Sequence, residues 1–286
     1  MYPVSRLLAR FRLTHKADIR TLGLAILVII GVMVLAAPLI TPYSYQQQSL
    51  EEAYQPPSVK HIMGTDSKGR DLFTRVLYGG RVSFAVGITA TAVSLLIGVT
   101  YGVVAGFAGG KLDNVMMRFV DVLYSLPYMF FVILLVTFVG RNIVNLFIAL
   151  GAVQWLTMAR IVRGQVLVLK EQEFVEAARA VGAGPMRIVF RHLLPNVSGA
   201  IIVCATLTVP SVMLQEAFLS FLGLGVQPPA ATWGSLVADG AAAISPVQTN
   251  WWLVLFPGLA LSVTLFALNF FGDGLRDALD PTAAPS

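Results

Sequence analysis

Long uncharged stretches and short charged segments alternate along the whole chain. An α-helix needs ~20 predominantly apolar residues to cross the hydrocarbon core of a bilayer. Six uncharged stretches are long enough to do so. They cover residues 22–40, 83–107, 122–140, 142–159, 197–215 and 251–271. The pattern therefore predicts an all-α integral membrane protein with six transmembrane helices.

A seventh uncharged stretch, residues 217–238, is predicted not to cross the membrane. Its apolar run ends at Val226 and gives way to Gln227, Pro228 and Pro229. About ten apolar residues are too few to span a bilayer, and such a segment forms a re-entrant or interfacial hairpin instead. The pattern therefore predicts an extracytoplasmic hairpin in the loop 216–250.

The positive charges predict on which side of the membrane each loop lies, because Lys and Arg are more frequent in cytoplasmic loops. Fourteen of the 20 lie in the N-terminal tail, the segment 108–121, the loop 160–196 and the C-terminal tail. We therefore expect both tails, residues 1–21 and 272–286, and the loop 160–196 in the cytoplasm. The loop 41–82, which carries an interfacial helix, is expected on the opposite side.

The composition excludes several classes of function. Hydrophobic residues make up 56% of the chain and charged residues only 12%, against ~25% charged in soluble domains. The interiors of the six stretches contain no Asp, Glu, Lys, Arg or His, which argues against ion-coupled carriers and intramembrane proteases. The phosphate-binding motif G-x-x-x-x-G-K-[ST] is absent. We therefore expect no catalytic residue, metal or cofactor in this chain, and the net charge of +5 needs no nucleic acid to explain it.

Small residues recur at every fourth position of the second stretch. Ala90 and Ser94 lead into Gly98, Gly102 and Gly106. This spacing lines one face of a helix with small side chains and allows a second helix to approach closely. Packing within the chain is the favoured interpretation, and contact with another subunit is the alternative.

The cytoplasmic loop between the fourth and fifth spans has the pattern of two helices joined by a tight turn, which we call the elbow. Residues 163–181 are rich in helix-forming residues, and Gly182 can end that helix in a left-handed conformation. Pro185 suits the first position of a second helix over 186–193. Pro195 is expected to end this second helix.

One face of the first elbow helix could bind a partner. Phe174, Ala178 and Val181 fall on one face at helical spacing, and Ala177 beside them keeps the surface shallow. Such a face suits docking into a groove on a cytoplasmic protein. The alternative is an ordinary amphipathic helix that lies on the bilayer or on its own chain.

The elbow resembles the EAA loop of ABC-importer permeases. In that family the loop forms a coupling helix that sits in a cleft of the ATPase subunit. The resemblance implies that Glu176 holds the elbow by charge-assisted hydrogen bonding and that Gly182 permits the turn. The chain departs from the family pattern at His192, where an apolar residue is usual. The residues assigned to ATPase coupling are Phe174, Glu176, Ala177, Ala178, Gly182, Pro185, Leu194 and Pro195.

Three further segments extend the resemblance. Residues 63–71 are similar to the G-T-D-x-x-G-R-D segment of the dipeptide/oligopeptide permease subfamily. Residues 221–234 and 272–281 follow in matching order. From about residue 20 to residue 281 the chain therefore resembles the C-type subunit of that subfamily.

This resemblance implies a type I ABC importer permease fold, with residues 83–271 as the permease domain in a bacterial inner membrane. It also implies a homologous B-type permease, two cytoplasmic ATPases that bind ATP and Mg, and an extracytoplasmic substrate-binding protein as partners. The implied cargo is di- and oligopeptides, with nickel or another small solute as the alternative. A self-sufficient channel or secondary carrier is the alternative from another class.

Two outer segments hold candidates for contact with the binding protein or the mouth of the pathway. Asp66 with Gly69 predicts a turn, followed by an interfacial helix whose Arg70, Arg75 and Arg81 reach lipid headgroups. The turn is either a docking surface or a plain exposed turn. The later hairpin is either a scoop at the pathway mouth or an interfacial anchor held by its tryptophans. The candidate residues are Asp66, Gly69, Arg70, Asp71, Gln227 and Trp233.

Overall fold

The computed structural model describes residues 21–140, 142–245 and 249–279. Within these ranges every regular element is helical, apart from one isolated bridge between Thr65 and Asp71. Residues 1–20 of the predicted N-terminal tail, residues 280–286 of the predicted C-terminal tail and Arg141 lie outside the described residues. In chain order the elements are α1 (Thr21–Leu35), α2 (Ala37–Ile40), a 3-10 turn (Leu50–Glu52), α3 (Leu72–Ala108), α4 (Gly110–Ser125), α5 (Tyr128–Val139), α6 (Ile143–Leu169), α7 (Glu173–Ala180), α8 (Pro185–Ile188), a π-turn (Val189–Leu193), α9 (Leu194–Phe221), α10 (Trp233–Ala242) and α11 (Trp252–Leu279).

The long helices α3 and α6 pack against each other through the stripe of small residues. A Cβ atom added at Gly98 would lie 2.6 Å from the Cβ of Met158. One added at Gly102 would lie 2.6 Å from a backbone oxygen of α6, and one at Gly106 would lie 2.9 Å from the Cβ of Val166. Contacts this short leave room only for a hydrogen atom. The close approach is therefore made to a helix of the same chain.

The third predicted span, residues 122–140, contains a sharp bend. Helices α4 and α5 meet at an angle of 87°. Leu126 is extended, with a ψ of 138°, as a residue before proline prefers, and Pro127 has no N–H with which to continue α4. The stretch is therefore two helices rather than one uninterrupted span, as a proline within it favours, and α4 is joined to α6 where Arg163 makes two 2.6 Å hydrogen bonds to Asp113.

Fewer than six uninterrupted helices are long enough to cross a membrane. By length and composition there are four in the described residues, Leu72–Ala108, Ile143–Leu169, Pro185–Phe221 and Trp252–Leu279, or five if the bent pair is one crossing. The first predicted span is divided, because α1 ends before Ala36 and Pro38 lies at the start of α2. The all-helical fold is confirmed, whereas the count of six holds only if interrupted helices also cross.

Candidate functional site

The elbow is organised by a tight turn after α7. Gly182 has a φ of +84°, a conformation that favours glycine because other residues carry a Cβ atom. Its N–H donates to the Arg179 carbonyl at 2.9 Å, and the Ala183 N–H donates to the Ala178 carbonyl at 2.9 Å. These two bonds form a Schellman motif that satisfies carbonyls in the last turn of α7. Gly182 therefore determines where the first elbow helix ends.

The single helix expected over residues 163–181 is divided into two. Helix α6 ends at Leu169, and α7 begins at Glu173 after Gln172, which is extended with a ψ of 149°. This break changes the direction of the chain, so that α7 packs back against α6. The buried side chain of Val175 lies in the same apolar cluster as residues of α6 and α8, and Ala178 is also buried.

Pro195 does not end the second elbow helix, contrary to expectation. The chain forms a π-turn over Val189–Leu193 and continues as one helix from Pro185 to Phe221. A proline lacks an N–H, and its ring clashes with the carbonyl four residues earlier in a regular α-helix. The wider π-turn immediately before Pro195 relieves this conflict. The elbow is therefore continuous with the long helix that contains α9.

The outward face of α7 differs from the predicted face. Ala178 points inward and is 7% exposed, whereas Val181 is 85% exposed and Phe174 is also exposed. The second elbow helix adds two more exposed apolar side chains, Met186 and Phe190. We call Phe174, Val181, Met186 and Phe190 the elbow patch. The elbow thus packs on its own chain with one face and presents an apolar surface with another.

The remaining elbow candidates lie around this patch. Glu176, Ala177, Pro185 and Pro195 are exposed, and Leu194 is half-buried. Within the described part of the chain the Glu176 carboxylate accepts no side-chain hydrogen bond, and the turn is held by the backbone bonds of the Schellman motif. The bond that was expected from Glu176 to the elbow is therefore not made in this structure.

The predicted turn at Asp66 and Gly69 contains a network of buried ion pairs. Asp66 is 6% exposed, and its carboxylate accepts hydrogen bonds from the Arg70 side chain at 2.7 Å and from the Arg75 guanidinium. It also accepts from the backbone N–H groups of Lys68 and Arg70. Arg70 and Arg75 are themselves buried, so the expectation that they reach lipid headgroups is wrong. A carboxylate shared by two buried guanidiniums keeps each charge paired.

Asp71 and Gly69 complete this segment. Asp71 caps α3 by accepting from the backbone and the hydroxyl of Thr74, at 2.8 and 2.7 Å. Its second oxygen lies 2.9 Å from Nδ1 of the buried His61. Gly69 has a φ of +67°, and a Cβ atom there would collide with the Ser49 carbonyl. These residues fix the start of α3, which runs without interruption from Leu72 to Ala108 rather than ending as a short interfacial helix.

The hairpin after α9 is attached to α3 through Trp233. This side chain is 1% exposed, its indole Nε1 donates to the Val76 carbonyl at 2.8 Å, and its backbone N–H donates to Ser83 Oγ at 2.9 Å. An interfacial anchor would be half-exposed, so that interpretation of Trp233 is wrong. Gln227 is exposed and borders a cavity of about 280 Å³ between α5, α6 and the hairpin.

Sequence reasoning missed a buried carboxylate beside this hairpin. Glu216 is 2% exposed and accepts hydrogen bonds from Ser220 and Thr232 hydroxyls, both at 2.7 Å. It joins the end of α9 to the N-cap of α10. The sequence signal that could have revealed this buried carboxylate was the position of Glu216 at the end of an uncharged span.

Sequence reasoning also missed a cluster of uncharged polar side chains inside the apolar helices. Gln154 Nε2 donates to Gln215 Oε1 at 3.0 Å, and Tyr128 donates its hydroxyl to the same oxygen. Gln215 Nε2 in turn lies 3.2 Å from Ser211 Oγ. We call Tyr128, Gln154, Ser211 and Gln215 the polar cluster. The signal was Gln154 and Gln215 themselves, which stand out in otherwise apolar stretches.

Two family models match the chain. One, described as the binding-protein-dependent transport system inner membrane component, matches residues 98–284. The other, described as the N-terminal TM domain of oligopeptide transport permease C, matches residues 20–57.

Curated relatives are similar over nearly the whole chain. The dipeptide transport system permease protein DppC of Bacillus subtilis is 48% identical over 271 residues, covering 95% of this chain and 84% of that protein. The oligopeptide transport system permease protein OppC of Escherichia coli is 50% identical over 275 residues, covering 96% and 90%.

A solved structure is similar in fold. A chain of the MetNI methionine ABC transporter, in an inward-facing conformation, matches with a TM-score of 0.59 and 20% identity. The match covers 73% of this chain and 98% of that chain. At this identity the likeness concerns the fold alone, and the fold is that of an ABC importer permease.

Proposed function

The chain belongs to the family of binding-protein-dependent transport system inner membrane components, and from that premise we propose that it is the C-type permease subunit of an ATP-driven importer of di- and oligopeptides. The observation that carries the proposal is identity of 48–50% over at least 95% of the chain to permeases named for dipeptide and oligopeptide transport. The match of residues 20–57 to the N-terminal domain of an oligopeptide permease supports the C-type assignment.

The family description implies a substrate-binding protein, and an ABC importer also requires ATPase subunits. We propose two cytoplasmic ATPases, which bind ATP and Mg, and a homologous B-type permease as the other membrane subunit. The chain itself carries no phosphate-binding motif of the P-loop type. The excess of positive charge in the tails and the elbow supports an inner-membrane orientation with both termini in the cytoplasm.

The elbow suits the transmission of force from an ATPase. Its patch of exposed apolar side chains fits a groove on a partner. Helix α7 packs on α6, and the second elbow helix is the start of the 37-residue helix Pro185–Phe221, which is about 55 Å long at 1.5 Å per residue. A displacement of the elbow would therefore move two membrane-embedded helices directly. Alternating access would follow from that movement, with no catalytic group in this chain.

Reconstitution of the complete complex tests this proposal. Proteoliposomes with both permeases, the ATPases and the binding protein should take up alanine oligopeptides only when ATP is supplied on the ATPase side. The control is the same complex with a P-loop variant of the ATPases, which should bind peptide but not transport it. Flux through this chain alone, or uptake of nickel without uptake of peptide, would overturn the proposal.

A further inference from the structure

The polar cluster lies where uncharged polar groups are costly. Gln154 belongs to α6, and Ser211 and Gln215 lie one turn apart on α9, so that all three occur within candidate membrane-crossing helices. Polar side chains in membrane helices face the bundle interior, a water-filled cavity or another protein rather than lipid. Ser211 is exposed and the two glutamines are half-buried. The face of the molecule that carries them is therefore not a lipid-facing surface.

A cavity of about 280 Å³ lies beside the cluster. Its lining combines polar groups with apolar side chains from the bend between α4 and α5. Interrupted backbone at membrane depth is tolerated where it lines a cavity or is buried in protein. The cavity thus joins two features that mark an aqueous path: a broken helix and a polar strip. The polar lining residues are Tyr124, Tyr128, Gln154, Thr157 and Gln215.

We propose that the polar cluster is a contact site for the backbone amides of a peptide in transit, which rests on the proposed function. The Gln215 carbonyl oxygen accepts two hydrogen bonds, whereas in the described part of the chain the Gln154 carbonyl oxygen accepts none. A primary amide offers both donors and an acceptor, as a peptide bond does. A passing peptide N–H can donate to Gln154 Oε1, and its carbonyl can accept the hydrogen bonds that Tyr128 and Gln154 make to Gln215.

The absence of charge in the cluster fits this occupant. Each neutral hydrogen bond contributes only modestly to the free energy of peptide binding, because it replaces a bond to water or to another cluster member. Such a site would lower the cost of dehydrating the peptide backbone without holding the peptide tightly. It would also be indifferent to cargo side chains, since every peptide has the same amide groups. The binding protein could then set the side-chain preference.

Transport by a double variant tests the proposal in the reconstituted complex. Gln154→Leu with Gln215→Leu should lower the maximal uptake rate of alanine oligopeptides roughly tenfold, as expected for the loss of two neutral hydrogen bonds. The control is Thr100→Val, an exposed residue of α3 whose hydroxyl bonds only to its own helix, and its rate should be unchanged. Peptides with N-methylated backbone amides should be transported more slowly than unmethylated ones by the wild-type complex, and this difference should shrink in the double variant.

A second measurement separates a cargo site from a permanent contact between subunits. In a Cys204→Ser background, Gln215→Cys should react with a water-soluble thiol reagent, and saturating cargo with ATP should slow the reaction. Leu214→Cys, the exposed neighbouring position, should react much more slowly.

Three results would each overturn the inference. The Gln215→Cys and Leu214→Cys variants could react equally fast, or the double variant could transport peptide at the rate of the Thr100→Val control. The third is loss of the partner permease when the complex with the double variant is purified. If the wild-type complex transports no peptide at all, the proposed function itself fails. If the wild-type and the double variant transport equally, only this inference fails.

Discussion

The segment around Asp66 and the elbow lie at opposite ends of α3, and both carry short, distinctive sequence patterns. In the outer segment Asp66, Arg70 and Arg75 are buried and paired with one another. In the elbow the charged Glu176 is exposed, and apolar side chains form the outer surface. The first pattern holds the chain together, and the second leaves a surface open to another protein. A motif of charged residues therefore does not by itself indicate a contact site.

The largest expected effect on stability tests the outer segment. Asp66→Asn removes the charge shared by Arg70 and Arg75, and breaking a buried ion network in this way costs about 3–5 kcal/mol. The melting temperature of the purified complex should fall clearly. Lys68→Gln, an exposed neighbour, should leave it unchanged. Normal stability of Asp66→Asn with loss of binding-protein docking would instead restore the interpretation as a docking surface.

The same substitution at two positions of the elbow sharpens the comparison. Val175 is fully buried and Val181 is 85% exposed. Val175→Ser should lower the free energy of unfolding by about 1–3 kcal/mol, because it buries a hydroxyl and loses apolar contacts. Val181→Ser should change stability by less than about 0.5 kcal/mol but weaken co-purification of the ATPases. The reverse pattern would mean that the elbow patch has been assigned to the wrong face.

Substitution of Gly182 tests the turn between the elbow helices. A Cβ atom would meet nothing within 4 Å there, so the cost of Gly182→Val comes from the positive φ alone, about 1–2 kcal/mol. We expect normal membrane insertion but loss of peptide uptake, because the two elbow helices can no longer hold their angle. Gly184→Ala, with a φ of −70° and open space, is the matched control. Uptake by inserted Gly182→Val at the wild-type rate would contradict the coupling role.

Charge reversal at Glu176 tests the same surface without altering the backbone. Its exposed side chain has no side-chain partner in the described residues, so Glu176→Lys should leave the melting temperature unchanged while abolishing transport. Glu173→Lys, also exposed on α7, is the control for charge alone. Equal effects of the two reversals would point to general electrostatics rather than a contact made by Glu176.

The smallest effect concerns an exposed ion pair of the outer loop. Lys60 hydrogen-bonds to Glu52, which lowers the pKa of the Glu52 carboxyl and raises the pKa of the Lys60 ammonium. The contribution of the pair is therefore present near neutral pH, is lost as pH falls through the lowered pKa of Glu52, and is lost again as pH rises through the raised pKa of Lys60. The small stability difference between wild type and Lys60→Met should be greatest near neutral pH. A difference that does not vary with pH would exclude the pair as its source.

The sequence by itself determined the all-helical membrane class, the hairpin after α9 and the glycine turn of the elbow. These features depend on local chemistry: apolar runs must avoid water, about ten apolar residues cannot span, and a left-handed position favours glycine.

The tertiary structure decided which side of each element points where. The helical pattern of α7 allowed Phe174, Ala178 and Val181 to share a face, but in the folded chain Ala178 is buried and the other two are exposed. Burial of Asp66 with its arginines and the assembly of the polar cluster likewise depend on side chains brought together from distant parts of the chain. The periodicity of a single helix says which residues share a face, and only its neighbours determine which face is covered.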